Sequence, residues 1–184
     1  MTHLQGMIKA AAHFLVAFLF CAFTVSAESL SADQILAQAE AKATAEHKVI
    51  FVHFGASWCP WCKRLDAFLE RPDVKPVFEK YFVPVKLVVQ ESEQNKAQDT
   101  PGGDALLEKV GGPSGLPYSA FLDTRGGLII NSMCPSTVGG SNNIGFPVKP
   151  GEVAWFVKMM RTAAPAMSDA DVQIIETGLR KPKK

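Results

Sequence analysis

This chain has little excess charge of either sign. Its 184 residues hold 19 lysines and arginines against 18 aspartates and glutamates. A balance this even gives no electrostatic case for nucleic acid or an anionic membrane as partner. Cysteine is scarce as well, four in all. Cys21 falls in an N-terminal apolar run, which leaves Cys59, Cys62 and Cys134, an odd number too small for a disulfide scaffold. Neither a second Cys-x-x-Cys nor a histidine pair accompanies Cys59 and Cys62. A four-ligand zinc site would have to recruit His53 and Cys134, so no metal is expected. Lys63 rather than histidine follows Cys62, which argues against covalent haem, and no other cofactor is called for. Internal repeats and heptads are absent. The longest apolar run, Ala10 to Phe23, is shorter than a bilayer span requires.

That run has the layout of a secretory signal, with His3 and Lys9 ahead of it and Val25-Ser26-Ala27 behind. We expect cleavage after Ala27, an exported, periplasmic protein and no stable membrane insertion once the signal is removed. An uncleaved N-terminal anchor is the alternative. Lipidation of Cys21 is discounted because bulky Leu19 and Phe20 precede it. Residues 28–180 suffice for one domain with a core and are too few for two ordinary ones, with 181–184 as a charged tail. An exported setting permits disulfides.

The chain is organised around Val49 to Lys63, VIFVHFGASWCPWCK. Val49 to Phe54 is a strand-type apolar run interrupted by His53, and Lys63 to Glu70 has a helical pattern. Cys59 is placed at the helix N-cap and Pro60 at the first helical position, where its missing N–H and fixed φ cost nothing. Partial positive charge at a helix N-terminus favours a thiolate, so Cys59 is the expected nucleophile, ionised and accessible. Cys62, one turn deeper, is placed to resolve a mixed disulfide on Cys59.

Before this stretch, Ser31-Ala32-Asp33-Gln34 reads as a capping box opening a helix to about Glu46, with Ile35, Leu36 and Ala39 on one face. After it, the helix stops at Arg71-Pro72. A short helix over Val74 to Tyr81 leads to a strand, Phe82 to Val89, in which Pro84 argues for a sheet edge or bulge. Gln90 to Gly103 is polar and reads as a surface loop. Asp104 to Val110 forms a helix ended by Gly111-Gly112-Pro113. Tyr118 to Leu122 and Leu128 to Ser132 form a hairpin across Asp123 to Gly127. Met133 to Pro150 is longer than an ordinary connection, hence functional or mobile. Two helices close the chain, from Pro150 to about Ala164 and from Ser168 to about Gly178.

The strand, the Cys-x-x-Cys, the helix and the downstream Gly115-Leu116-Pro117 before a second strand together resemble the thioredoxin superfamily. The resemblance implies an α/β, thioredoxin-like three-layer sandwich. Its mixed central sheet would carry helices on both faces, with the Ser168 to Gly178 helix outside the shared core. It implies that Pro117 is the cis-proline lying against the cysteine pair, and that Leu116 and Pro117 expose backbone groups to an incoming peptide. His53 stands six residues before Cys59, where thioredoxin carries a buried aspartate that moves the proton of the second cysteine, and Lys86 matches the lysine beside that aspartate. Pro60-Trp61 departs from thioredoxin's Gly-Pro and is nearer glutaredoxin's Pro-Tyr, so redox poise does not transfer. Many thioredoxins also have a kinking proline in this helix, which is lacking here.

An imidazole with an ordinary pKa near 6.5 can take and return the Cys62 proton. The alternative is a core histidine satisfied by a backbone carbonyl. Trp58 and Trp61 flank Cys59 and with Pro60 offer surface to a peptide, although Trp58 also reads as core beneath the helix. A hairpin turn centred on Arg125 sets Met133 opposite Pro117 and Cys134 opposite Leu116. That would bring a third thiol to the active-site end, unless it is an inert buried one. Two functions follow. One is an exported thiol:disulfide oxidoreductase acting on protein thiols and disulfides, with a separate redox partner. The other is a binding module in which the Cys59–Cys62 disulfide is structural. A thioredoxin-fold peroxidase is weaker, since no peroxidatic motif is marked.

Overall fold

A computed structural model describes residues 29–112, 115–135 and 142–180. The expected signal (1–27) and charged tail (181–184) lie outside the described residues. Helix α1 (Ala32–Glu46) opens on the capping box: the Gln34 N–H reaches Ser31 Oγ at 3.3 Å, and the Ser31 N–H reaches Gln34 Oε1 at 2.9 Å. It stops at His47, whose left-handed φ of 54° turns the chain into β1 (Val49–Gly55).

Strand β1 lies in the interior of a mixed four-stranded sheet ordered β2-β1-β3-β4. It runs parallel to β2 (Phe82–Val88) and antiparallel to β3 (Tyr118–Leu122), which pairs antiparallel with β4 (Leu128–Asn131). Pro84, which has no N–H for a ladder, sits exposed on β2 at the sheet edge, as its chemistry requires.

Successive strand residues point to opposite faces, and β1 shows why its run is almost wholly apolar. Ile50, Val52 and Phe54 join Leu36 and Ala43 of α1 and Leu106 and Leu107 of α4 (Gly103–Lys109). Phe51 faces the other layer, where α2 (Pro60–Leu69), α3 (Lys75–Tyr81), α5 (Pro150–Ala163) and α6 (Asp169–Arg180) supply Leu65, Phe78, Phe156 and Ile175. The Phe51 ring lies 5.0 Å from both Phe78 and Phe121, and each such aromatic pair contributes about 0.5–1.5 kcal/mol beyond its buried area. The result is the three-layer α/β sandwich. Helix α6 adds to the aromatic layer: Asp171 accepts from Tyr81 Oη at 2.6 Å and Lys80 Nζ at 2.9 Å. A Cβ at Gly178 would meet Val74 Cγ2 at 2.9 Å, so glycine lets α6 approach closely.

The polar stretch after β2 is more ordered than a plain surface loop. Glu93–Gln98 forms a 3₁₀ turn, the Glu91 N–H donates to Asp99 Oδ1 at 3.0 Å, and the Thr100 N–H donates to Val88 O at 2.8 Å. Local side-chain bonds hold it, and these leave no apolar period in the sequence.

Candidate active site

The order β1, then α2, delivers two cysteines to a helix start. Cys59 is the N-cap of α2 with extended backbone (φ −85°, ψ 108°), and Pro60 begins the helix. Its sulfur accepts the Cys62 N–H at 3.1 Å, and the two cysteines form a disulfide. Gly55 ends β1 directly beneath. A Cβ there would stand 3.0 Å from Cys62 Cβ and 3.2 Å from its sulfur, so a larger residue would displace the pair. In this oxidised state both cysteines are only 2 % exposed, clustered with Ala56 and with Leu116 packed on them. Ala56 and Leu116 thus enclose the disulfide, whereas the accessible Cys59 expected from the sequence belongs to the reduced pair.

The rim is aromatic and open. Trp58 is 56 % exposed and Trp61 45 %. A core position for Trp58 is ruled out: its indole lies out on the surface, where Nε1 donates to Gln90 O at 2.8 Å. Trp61 stacks on Phe146 at 6.5 Å, and the Arg64 guanidinium lies 5.2 Å from each of these rings.

His53 lies on the same face of β1 as Gly55, two residues below the disulfide floor, and is 4 % exposed. Its partner is a residue that sequence reasoning missed. Asp66 Oδ1 bonds His53 Nε2 at 2.9 Å, while Asp66 Oδ2 accepts from Lys86 Nζ at 2.7 Å. Asp66 stands one helical turn after Cys62, a spacing that puts both on one face of α2 and could have revealed it. Burial pushes the Asp66 carboxyl up, but the bonds and charges of His53 and Lys86 outweigh that and hold it below its ordinary value. An ionised carboxylate only accepts, so His53 Nε2 carries a hydrogen toward Asp66, and Nδ1 is the ring nitrogen left to face other groups. Nδ1 is buried and has no hydrogen-bond partner among the described residues. The backbone-carbonyl alternative for His53 is replaced by this carboxylate. Lys86 sits level with His53 on the neighbouring strand.

The opposite wall is Leu116–Pro117, and the peptide bond between them is cis. The hairpin register differs from expectation by one residue. Ala120 faces Asn131 and Phe121 faces Ile130, but Leu122 faces Leu128, with an irregularity between Phe121 and Leu122. A bulge of this kind shifts everything beyond it. The Ser132 N–H therefore donates to Ser119 O at 2.8 Å, and Met133 bridges to Asn143 rather than opposing Pro117. Cys134 does not oppose Leu116; it is a free thiol, 7 % exposed, within the aromatic layer.

A model of thioredoxin-like domains matches residues 32–124, a span that takes in the cysteine pair and the cis-proline. The chain belongs to the thioredoxin-like family. Among solved structures, this thioredoxin-like chain is similar to a disulphide isomerase from Xylella fastidiosa Temecula1, at 22% identity, TM-score 0.45, over 77% of this chain and 83% of that one. It is similar to a thioredoxin from Thermus thermophilus at 24% identity, TM-score 0.43, over 67% and 79%. The oxidised C-terminal domain of DsbD from Neisseria meningitidis is 23% identical, TM-score 0.39, over 56% and 84%. No curated protein matches it in sequence.

A second carboxylate that the sequence did not disclose braces this thioredoxin-like site from the β2 side. Glu91, 6 % exposed, accepts the Ser57 hydroxyl at 2.7 Å and also the Ser57 N–H. With the Trp58–Gln90 bond, it ties the turn before Cys59 to the segment after β2. Among the described residues no cluster of three or more His, Cys, Asp or Glu could hold a metal, and no helix is long and apolar enough to cross a membrane.

Proposed function

We propose that this chain is an exported thiol:disulfide oxidoreductase that exchanges disulfides with cysteines of other exported proteins. Cys59 is the nucleophile and Cys62 the resolving thiol. One observation carries the reading: Cys59 caps α2, with its sulfur accepting the Cys62 amide at 3.1 Å. In the reduced protein that amide and the helix N-terminus stabilise a Cys59 thiolate. The thiolate attacks one sulfur of a substrate disulfide, giving a mixed disulfide and releasing the other substrate sulfur as a thiolate. Cys62 then passes its proton to His53 Nδ1 and attacks Cys59 Sγ. The Cys59–Cys62 bond forms as the second substrate sulfur leaves and is protonated, so two electrons have passed from the pair to the substrate. A separate dithiol partner restores the reduced pair, and an oxidising partner drives the same steps in reverse. About 30 mV between the couples shifts the exchange by about 1.4 kcal/mol.

The other roles follow from placement. Asp66 and Lys86 orient His53, Leu116 and Pro117 hold the substrate backbone, and Trp58, Pro60 and Trp61 offer apolar surface to its side chains. Export rests on Lys9, the Ala10 to Phe23 run and Val25-Ser26-Ala27.

Reduction of insulin disulfides by the reduced protein is the test. Turnover in the parent and none in Cys59→Ser is expected, and equal turnover in the two would end the reading. Burial of Cys59 at 2 % favours a second reading, a binding module with a structural disulfide. Retention of an exported partner, unchanged in Cys59→Ser, with no insulin turnover in either form, would establish it.

A further inference from the structure

The long segment after β4 returns to the site at Asn143. Its backbone runs antiparallel to 132–134: the Ile144 N–H donates to Ser132 O at 2.9 Å, and the Cys134 N–H to Asn142 O at 2.6 Å. This sets the Asn143 carboxamide against the cis-proline segment. Nδ2 donates to Gly115 O at 2.8 Å and to Pro117 O at 3.1 Å. Oδ1 accepts the Ser132 hydroxyl at 2.7 Å and the Gly145 N–H at 3.2 Å. Ser132 Oγ, buried, accepts the Ser119 N–H of β3 at 3.1 Å. The amide can be oriented only this way, because Gly115 and Pro117 offer carbonyls alone and Gly145 offers only an N–H. The carbonyls on both sides of Leu116 are thereby engaged, while the Leu116 N–H and C=O make no hydrogen bond among the described residues.

We propose that Asn143, anchored through Ser132 to β3, is a positioning residue for peptide recognition. It holds the Gly115 and Pro117 carbonyls so that the Leu116 backbone is left to pair with an extended, cysteine-bearing peptide as an added strand. This rests on the oxidoreductase reading and deepens it, since it assigns to Asn143 the positioning of the backbone that the thioredoxin resemblance already gives to the peptide. None of these four hydrogen bonds of Asn143 reaches Cys59 or Cys62. Removing Asn143 acts on peptide binding and leaves the ionisation of Cys59 alone.

The test compares insulin with a small aromatic disulfide that has no peptide backbone. Asn143→Asp keeps the shape and Oδ1 but turns a second oxygen toward the Gly115 and Pro117 carbonyls. Asn143→Ala serves if that variant folds poorly, and Ser132→Ala loosens the anchor. Asn143→Asp should raise KM for insulin about tenfold with little change in kcat, and Ser132→Ala about threefold, the scale of one weakened main-chain hydrogen bond. In Asn143→Ala and Ser132→Ala, which add no charge, the small-disulfide rate and the alkylation pH profile of Cys59 should follow the parent. Parallel losses on both substrates, or an insulin KM that moves in none of the three variants, would overturn the proposal. A parent inert toward both disulfides would instead defeat the oxidoreductase reading. Binding of a ten-residue peptide with serine in place of cysteine, followed by tryptophan fluorescence, then decides the role of Asn143 without chemistry. Weaker binding by Asn143→Asp supports it, and equal binding overturns it.

Discussion

The two faces of β1 show how one strand divides stability from chemistry. On the face toward α1 and α4, Ile50, Val52 and Phe54 pack in an apolar cluster with Leu87, Ala120 and Leu122. On the other face the series is Phe51, His53, Gly55, and each step toward the cysteines is less apolar or smaller. Phe51 anchors an aromatic cluster, His53 bonds a carboxylate, and Gly55 yields its side-chain volume to Cys62. The first face needs only shape and hydrophobicity, whereas the second must also keep a buried polar group satisfied, which costs stability unless a partner is supplied. Asp66, anchored by Lys86, is that partner.

If the division holds, substitutions on the two faces should fail in different assays. The largest effect is expected for Leu122→Ala on the apolar face. It should lower stability to urea by about 2–5 kcal/mol, while the alkylation profile of reduced Cys59 in the folded protein stays that of the parent. A changed profile would break the comparison. Next is His53→Ala, which should slow Cys62-dependent resolution of mixed disulfides by about tenfold to a hundredfold over pH 6 to 8, with attack by Cys59 little altered. Equal resolution rates would reduce His53 to a packing residue and erase the difference between the faces. The smallest effect is expected far from the cysteines, at Asp171. Bonds from Tyr81, Lys80 and Ser168 lower its pKa to about 2. A carboxylate lowered on folding stabilises above its unfolded pKa, near 3.9, and loses that contribution as pH falls toward its folded value. Asp171→Asn should therefore melt below the parent at pH 7, with the gap closing between about pH 4 and 2. A gap that persists at pH 2 would assign its role to hydrogen bonding alone.

Features written in local chemistry were legible in the sequence. The Ser31 capping box, Pro60 after a capping Cys59, Pro84 on an edge strand and the Ser168 cap all act within a few residues, and each stands where its chemistry puts it. The site's supports were not legible, because they join segments distant in the chain. Glu91 reaches Ser57 across 34 positions, and Asn143 reaches Gly115 across 28. Polar side chains in loops carry no period that would announce such pairings. Asp66 was nearer to view, one turn from Cys62, but its meaning depends on β1 and β2 meeting in register. The pairing expected for Cys134 failed for a smaller reason: a bulge between Phe121 and Leu122 moves every later pair by one. Trp58 went astray because an apolar side chain beside a core strand reads as core, whereas here a single bond to Gln90 O holds it on the surface.

Catalysis by this site depends most on the state of one sulfur, which alkylation of the reduced protein across pH, with the modified cysteines mapped by mass, reads directly. Cys59 should react first, ahead of Cys62 and Cys134, with an apparent pKa well below the ordinary thiol value of about 8.5. A Cys59 that stays unmodified, or that titrates at or above that value, would contradict a catalytic role for this sulfur.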